Sequence, residues 1–130
     1  MPALHHASLE VPQADVERSV EFWELLGFSR IPAPDAVASF VTWLERDANH
    51  IHLIHADEPA VPTIGHVAIV AADFEPTVAR LRAAGFTVEE ARELWGKPRA
   101  FAIAPAGHRV ELMAAPPQPS RRSSAAPAGR

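Results

Sequence analysis

The sequence predicts an α+β fold made of one supersecondary unit used twice, each copy running β-α-β-β-β. The first observation behind this is a repeat. His6-Ala-Ser-Leu-Glu-Val returns as His66-Val-Ala-Ile-Val, Leu26-Gly27-Phe28 as Ala84-Gly85-Phe86, and Ile51-His52-Leu53 as Val110-Glu111-Leu112, at offsets of 60, 58 and 59 residues. The second is periodicity. Most apolar stretches alternate in steps of two, as strands do, and one stretch per copy steps by three and four, as an amphipathic helix does. The third is punctuation. Gly27 and Gly85 each follow a helical stretch, and Pro59 and Pro62 fall between the copies.

The elements follow in order. Residues 4–11 read as a strand, with Ala7, Leu9 and Val11 on one face and His6, Ser8 and Glu10 on the other. Asp15 is an N-cap residue for a helix over 15–26, whose inner side carries Val16, Val20, Trp23 and Leu26. Strands are expected at 28–31, 37–45 and 50–55. The second copy opens with a strand at 65–71 and a helix at 73–84, with Phe74, Val78 and Leu81 inward. Pro76 sits in its first turn, where a missing N–H costs little. Strands at 88–94, 100–104 and 109–114 complete it; Glu89-Glu90-Ala-Arg-Glu within the first of these is equally compatible with helix. The organisation expected is a first module over 1–58, a linker over 59–63, a second module over 64–115 and a disordered tail over 116–130, which is rich in Pro, Ser and Ala.

Bulk properties narrow the function. A chain of 130 residues, 48% hydrophobic, can bury a core of its own. It has no run of eighteen apolar residues and no basic-then-apolar start, so neither a membrane span nor a signal peptide is expected. The absence of cysteine excludes disulfides, thiolate metal sites and cysteine nucleophiles, and fits a cytoplasmic location. Twelve basic and sixteen acidic residues give a net charge of −4; three of the basic ones, Arg121, Arg122 and Arg130, lie in the tail, leaving nine against sixteen, or −7, for the rest. An acidic body argues against nucleic-acid binding.

The chemistry rests on four repeat-matched positions. His6 and His66 open the two copies, and His52 and Glu111 stand at equivalent points in the last strands. Strand alternation turns the aliphatic neighbours of each toward the helix and the His or Glu to the other face of the sheet. A concave sheet would gather them. Imidazole and carboxylate are ligands for divalent Zn, Ni, Co, Mn or Fe, and three His with one Glu leave open positions for water or substrate. His5, His50, His55 and His108 have no counterpart in the other copy; of these, His50 shares a face with His52.

These residues resemble the vicinal oxygen chelate superfamily, the glyoxalase / bleomycin-resistance / extradiol-dioxygenase group. The likeness covers about residues 4–114 and is carried by His6-Ala-Ser-Leu-Glu-Val, Ser19-Val-Glu-Phe-Trp-Glu-Leu-Leu-Gly-Phe28, Ile51-His-Leu-Ile54, Gly65-His-Val-Ala-Ile-Val and Gly107-His-Arg-Val-Glu-Leu112. It implies that the two βαβββ modules form a cupped mixed sheet around one divalent transition metal held by His6, His52, His66 and Glu111, often within a homodimer. Trp23 stands where the family usually has Tyr, residues 12–14 include two extra positions, and Ala104-Pro-Ala-Gly-His108 replaces the more usual Asp-Pro-Asp-Gly-Asn turn.

Three functions are compatible with the resemblance. The first is a metal-dependent lyase or isomerase, like glyoxalase I, that chelates vicinal oxygens of a small substrate and stabilises an enediolate, with Glu111 as base. Phe40, Trp43, Trp95 and Phe101 are candidate pocket walls, and Arg99 and Lys97 candidate contacts for an anionic group. The second is an antibiotic-sequestering protein without catalysis. The third is an Fe(II) ring-cleaving dioxygenase, disfavoured by the complete lack of Tyr.

Overall fold

Eight strands and two helices make two copies of one unit in the computed structural model, which describes residues 1–118. The first unit comprises β1 (His6–Val11), a 3-10 turn at Gln13–Asp15, α1 (Val16–Glu24), β2 (Ser29–Ile31), β3 (Val41–Arg46) and β4 (Asn49–His55). The second comprises β5 (Val67–Val70), α2 (Phe74–Ala83), β6 (Val88–Ala91), β7 (Arg99–Ile103) and β8 (Arg109–Met113). Each forms a mixed four-stranded sheet, in the orders β1-β4-β3-β2 and β5-β8-β7-β6. The first strand of each unit pairs parallel with the last, and the other neighbours are antiparallel. β1 and β5 are therefore unpaired sheet edges.

Both helices end in the same way. Gly27 bonds back to Glu24 and Phe28 to Trp23; Gly85 bonds back to Arg82 and Phe86 to Leu81. The pattern is a Schellman cap, with glycine φ values of 93° and 91°, the left-handed region that a side chain disfavours. The N-termini depart from expectation. Asp15 and Asp73 make no side-chain capping bond. Asp73 instead accepts from Arg80 and Thr77, and those bonds hold its carboxyl below the usual value.

One hydrophobic core serves both units. Trp23, Phe22, Leu44, Leu53, Leu81, Leu112 and Val110 are all but fully buried in it. Phe22 of α1 meets Phe86 of the second unit edge to face, with centroids 5.2 Å apart. Arg18 lies over the same Phe86 ring at 3.9 Å and donates to the carbonyl of Ala84. Such packing sets the inward face of every strand. Leu9, Val11, Ile51 and Leu53 point to the core in the first sheet, and Ile69, Val110, Leu112, Ala100 and Ala102 in the second.

Two strand expectations are corrected. The one at 37–45 begins only at Val41, because Pro34 starts a turn whose carbonyl takes the N–H groups of Val37 and Ala38. The segment at 88–94 is strand, not helix, and it stops at Ala91, where pairing with β7 ends. The β3–β4 hairpin turns on Asp47 and Ala48, both at positive φ (49° and 68°), the backbone of a two-residue type I′ turn. Most of the expected tail, 119–130, lies outside the described residues.

Candidate functional site

Each sheet carries one pair of the expected ligands on the face opposite the core. In the first sheet, register places His6, His50, His52, Trp43 and Glu45 on that face. The His52 ring is sandwiched. His6 stacks on it at 4.0 Å between centroids, and Trp43 lies 4.2 Å away, tilted by only 3°. His5 packs on His50 at 4.3 Å, and its Nδ1 is 3.0 Å from Nδ1 of His6. His52 is buried at 6% exposure, and its pKa is pushed down to about 4, by desolvation first and then by His6, His50 and His5. Its imidazole is neutral across the physiological range and needs no proton removed before it can ligate.

A hydrogen-bond chain orients the ring. Glu45 Oε2 lies 3.3 Å from His50 Nε2, and His50 Nδ1 lies 3.2 Å from His52 Nε2. An ionised carboxylate only accepts, so His50 donates from Nε2 and its Nδ1 accepts from His52. The lone pair of His52 Nδ1 is then free. A cleft of about 380 Å³ opens beside His6 and His50, with the edge of β5 as its far wall.

The second half-site is built from His66, Glu111, Arg99 and Phe101. His66 Nδ1 is 2.9 Å from the carbonyl of Ile64, and its Nε2 is 3.1 Å from Glu111 Oε1. The carbonyl accepts only, so Nδ1 carries the proton. In neutral His66 the Nε2 lone pair and a carboxylate oxygen then face each other, an arrangement that favours a cation between them. Imidazole and carboxylate at this separation fit a metal. Glu111 is 8% exposed. Its other oxygen, Oε2, accepts from Arg99 Nε at 2.9 Å. Arg99 is anchored in turn by Nη1, which donates to the carbonyl of Arg92 at 2.7 Å. Phe101 meets the His66 ring edge-on at 5.1 Å.

The four residues expected as ligands thus lie as two pairs, His6 with His52 and His66 with Glu111. Among the described residues, no group of three or more His, Cys, Asp or Glu side chains is placed to hold one ion. Of the other expected residues, Trp43 and Phe101 cover the two pairs, whereas Arg99 binds Glu111 and not an open anion site. Phe40 stands apart: it continues the β3–β4 ladder opposite His55, on the side of the sheet away from Trp43. Trp95 stands apart too, in the β6–β7 loop, where its indole N–H donates to the Ala115 carbonyl and ties down the chain after β8. Sequence reasoning passed over Glu45 and His5. Glu45 faces His50 directly across a two-residue hairpin, a spacing visible in Glu45-Arg-Asp-Ala-Asn-His50.

Twin βαβββ modules with His and Glu at repeat-matched positions, on the faces turned from the core, define a duplicated-module α+β protein. The chain belongs to the Glyoxalase/Bleomycin resistance protein/Dioxygenase superfamily, whose family model matches residues 3–112. Its fold is similar to that of a glyoxalase family protein from Bacillus anthracis, at 19% identity and TM-score 0.76, covering 87% of this chain and 94% of that one. It is similar to a mutant of the fosfomycin resistance protein FosX from Listeria monocytogenes, solved with Mn(II) and 1S,2S-dihydroxypropylphosphonic acid, at 17% identity and TM-score 0.73, covering 89% and 92%. A third likeness is to the oxidase ChaP-H2, at 18% identity and TM-score 0.70, covering 89% and 95%. A search of curated proteins returned no match. Members of the superfamily commonly use a divalent metal and bind small molecules. Among the described residues no helix is long and apolar enough to cross a membrane.

Proposed function

We propose that this protein is a metal-dependent lyase or isomerase of the glyoxalase I-like type. Its substrate is a small molecule with two adjacent oxygens, and it works as a homodimer. His6 and His52 of one chain and His66 and Glu111 of another hold one divalent ion, Zn, Ni, Co, Mn or Fe. The observation that carries this reading is the His66–Glu111 pair. His66 Nδ1 donates to the Ile64 carbonyl, which aims Nε2 at Glu111 Oε1, 3.1 Å away, so that the neutral ring would offer a lone pair beside a carboxylate oxygen.

The pairing of chains is supported by three features. Neither pair is a complete coordination set, and among the described residues no group of three or more donors is placed to hold one ion. Both pairs lie on faces turned from the shared core. Leu4 and Ile64, each two residues ahead of a proposed ligand, are apolar and exposed at 84% and 78%, beside the unpaired edges β1 and β5.

When bound, the ion would supply Lewis acidity that stabilises negative charge on the substrate oxygens as a proton leaves the adjacent carbon. The chain's own groups prepare the site. Neutral His52 offers a lone pair without competition from a proton. Trp43 and Phe101 shield the donors from water. Glu111 Oε1 is the carboxylate oxygen that Arg99 leaves free to meet the ion.

Complementation between two disabled variants tests this. His6→Ala/His52→Ala and His66→Ala/Glu111→Gln proteins should each bind no Co(II), and a refolded mixture should recover binding in the mixed dimer. The native protein should be dimeric and bind one ion per chain. Absence of transition-metal binding by native protein would sink the reading. A mixture that stays inactive in binding while the native protein loads fully would sink the sharing of the site.

A further inference from the structure

We infer that Arg99 is a positioning residue that makes Glu111 a fixed ligand through a single oxygen. The inference rests on the metal site proposed above and goes beyond it, because it assigns a task to a residue outside the donor set. An unrestrained carboxylate can present one oxygen or two to an ion, and it can swing away to take a proton. Glu111 has neither freedom. Oε2 is held by Arg99 Nε at 2.9 Å, and Oε1 is directed at His66 Nε2, 3.1 Å away. The restraint is stiff because Arg99 is itself tied. Its Nη1 donates to the Arg92 carbonyl, its side chain is only 12% exposed, and its guanidinium carbon lies 5.4 Å from the centre of the Phe101 ring.

The sheet fixes this geometry before any side chain is placed. Phe101 is the register partner of Glu111 on β7, and Arg99, opposite Met113, sits one step along the same face. Arg99 and Glu111 are diagonal neighbours, a distance that a long side chain spans and a short one does not. A guanidinium is planar and permanently charged, so it orients the carboxylate it pairs with. The consequence is a division of labour: Glu111 stays on the ion throughout, and the role of mobile proton acceptor passes out of its reach. Arg109 provides an internal contrast. It lies over the same Phe101 ring at 4.4 Å but pairs with Glu89 and makes no bond to Glu111.

Co(II) titration of the full-length protein, followed by visible absorption, tests the inference. Arg99→Ala should keep the native stoichiometry, weaken Co(II) affinity about 10- to 100-fold, and lower the intensity of the visible bands as the freed second oxygen raises the coordination number. Arg99→Lys should recover part of the affinity, because an ammonium can still meet Oε2 but cannot also hold the Arg92 carbonyl. Arg109→Ala should match native protein in both readouts. An Arg99→Ala protein with native affinity and an unchanged spectrum would overturn the role of Arg99 while leaving the metal site standing. Equal losses in Arg99→Ala, Arg99→Lys and Arg109→Ala, with no spectral change, would mark a general packing effect and overturn it too. Native protein that takes up no Co(II) would overturn both this inference and the reading beneath it.

Discussion

Acid should cost the metal-free protein stability through His52, and a His52→Gln variant isolates the effect. His52 titrates at about 4 in the folded state, against 6.5 when free. A group whose folded value is depressed in this way is protonated first in the unfolded chain. Its contribution is therefore neutral above pH 6.5 and increasingly unfavourable to folding as the pH drops toward 4. The gap corresponds to about 3 kcal/mol, almost all of it lost by the time the lower value is reached. His108, also buried, is shifted the same way by desolvation and adds to the slope, but it is present in both proteins and cancels in the comparison. Urea unfolding followed by tryptophan fluorescence, at about pH 7.5 and at the folded-state value, reads the difference. With an m-value of about 1.5 kcal/mol/M, the native midpoint should fall by about 2 M more than that of His52→Gln. Parallel pH profiles for the two proteins would refute the argument, because they would mean that the ring between His6 and Trp43 is free to charge.

Two further outcomes follow from the geometry. Trp43 lies flat on His52, so Co(II) should quench part of the fluorescence of native protein, and Trp43→Phe should abolish most of that quench while Trp23 and Trp95 still emit. Ala48→Gly should stabilise the fold by about 0.5–1 kcal/mol, because the turn holds a β-carbon at φ 68° where glycine fits without strain; a lower unfolding midpoint for this variant would contradict the type I′ assignment.

The fold was legible because it is written twice. Each copy's strand, helix and glycine appear at matching offsets, so weak local signals reinforce one another. The strand at Val88–Ala91 shows where local signals run out: Glu89, Glu90 and Arg92 suit a helix, and only pairing with β7 decides against it. The late start of β3 has a similar origin, since the turn at Pro34 outcompetes the extended preference of Val37. At the candidate site, the nearness of His6 to His52 and of His66 to Glu111, beside Trp43 and Phe101, follows from period and repeat. What could not be read was the use of each polar group by a neighbour distant in sequence. Arg99 looks in isolation like a free cation for a substrate anion, and Phe40 looks like a pocket wall, until register gives the first a carboxylate and puts the second on the far side of its sheet.

The contact between Phe22, Phe86 and Arg18 reaches beyond packing. Each half of the repeat completes its interior with a ring or guanidinium borrowed from the other, so the halves cannot melt separately without both exposing oil to water. Heating should give a single calorimetric peak. A backbone cut in the connecting segment around Val61 would leave two fragments with strong reason to reassociate, and a split-protein version of this chain becomes a practical way to exchange one half at a time.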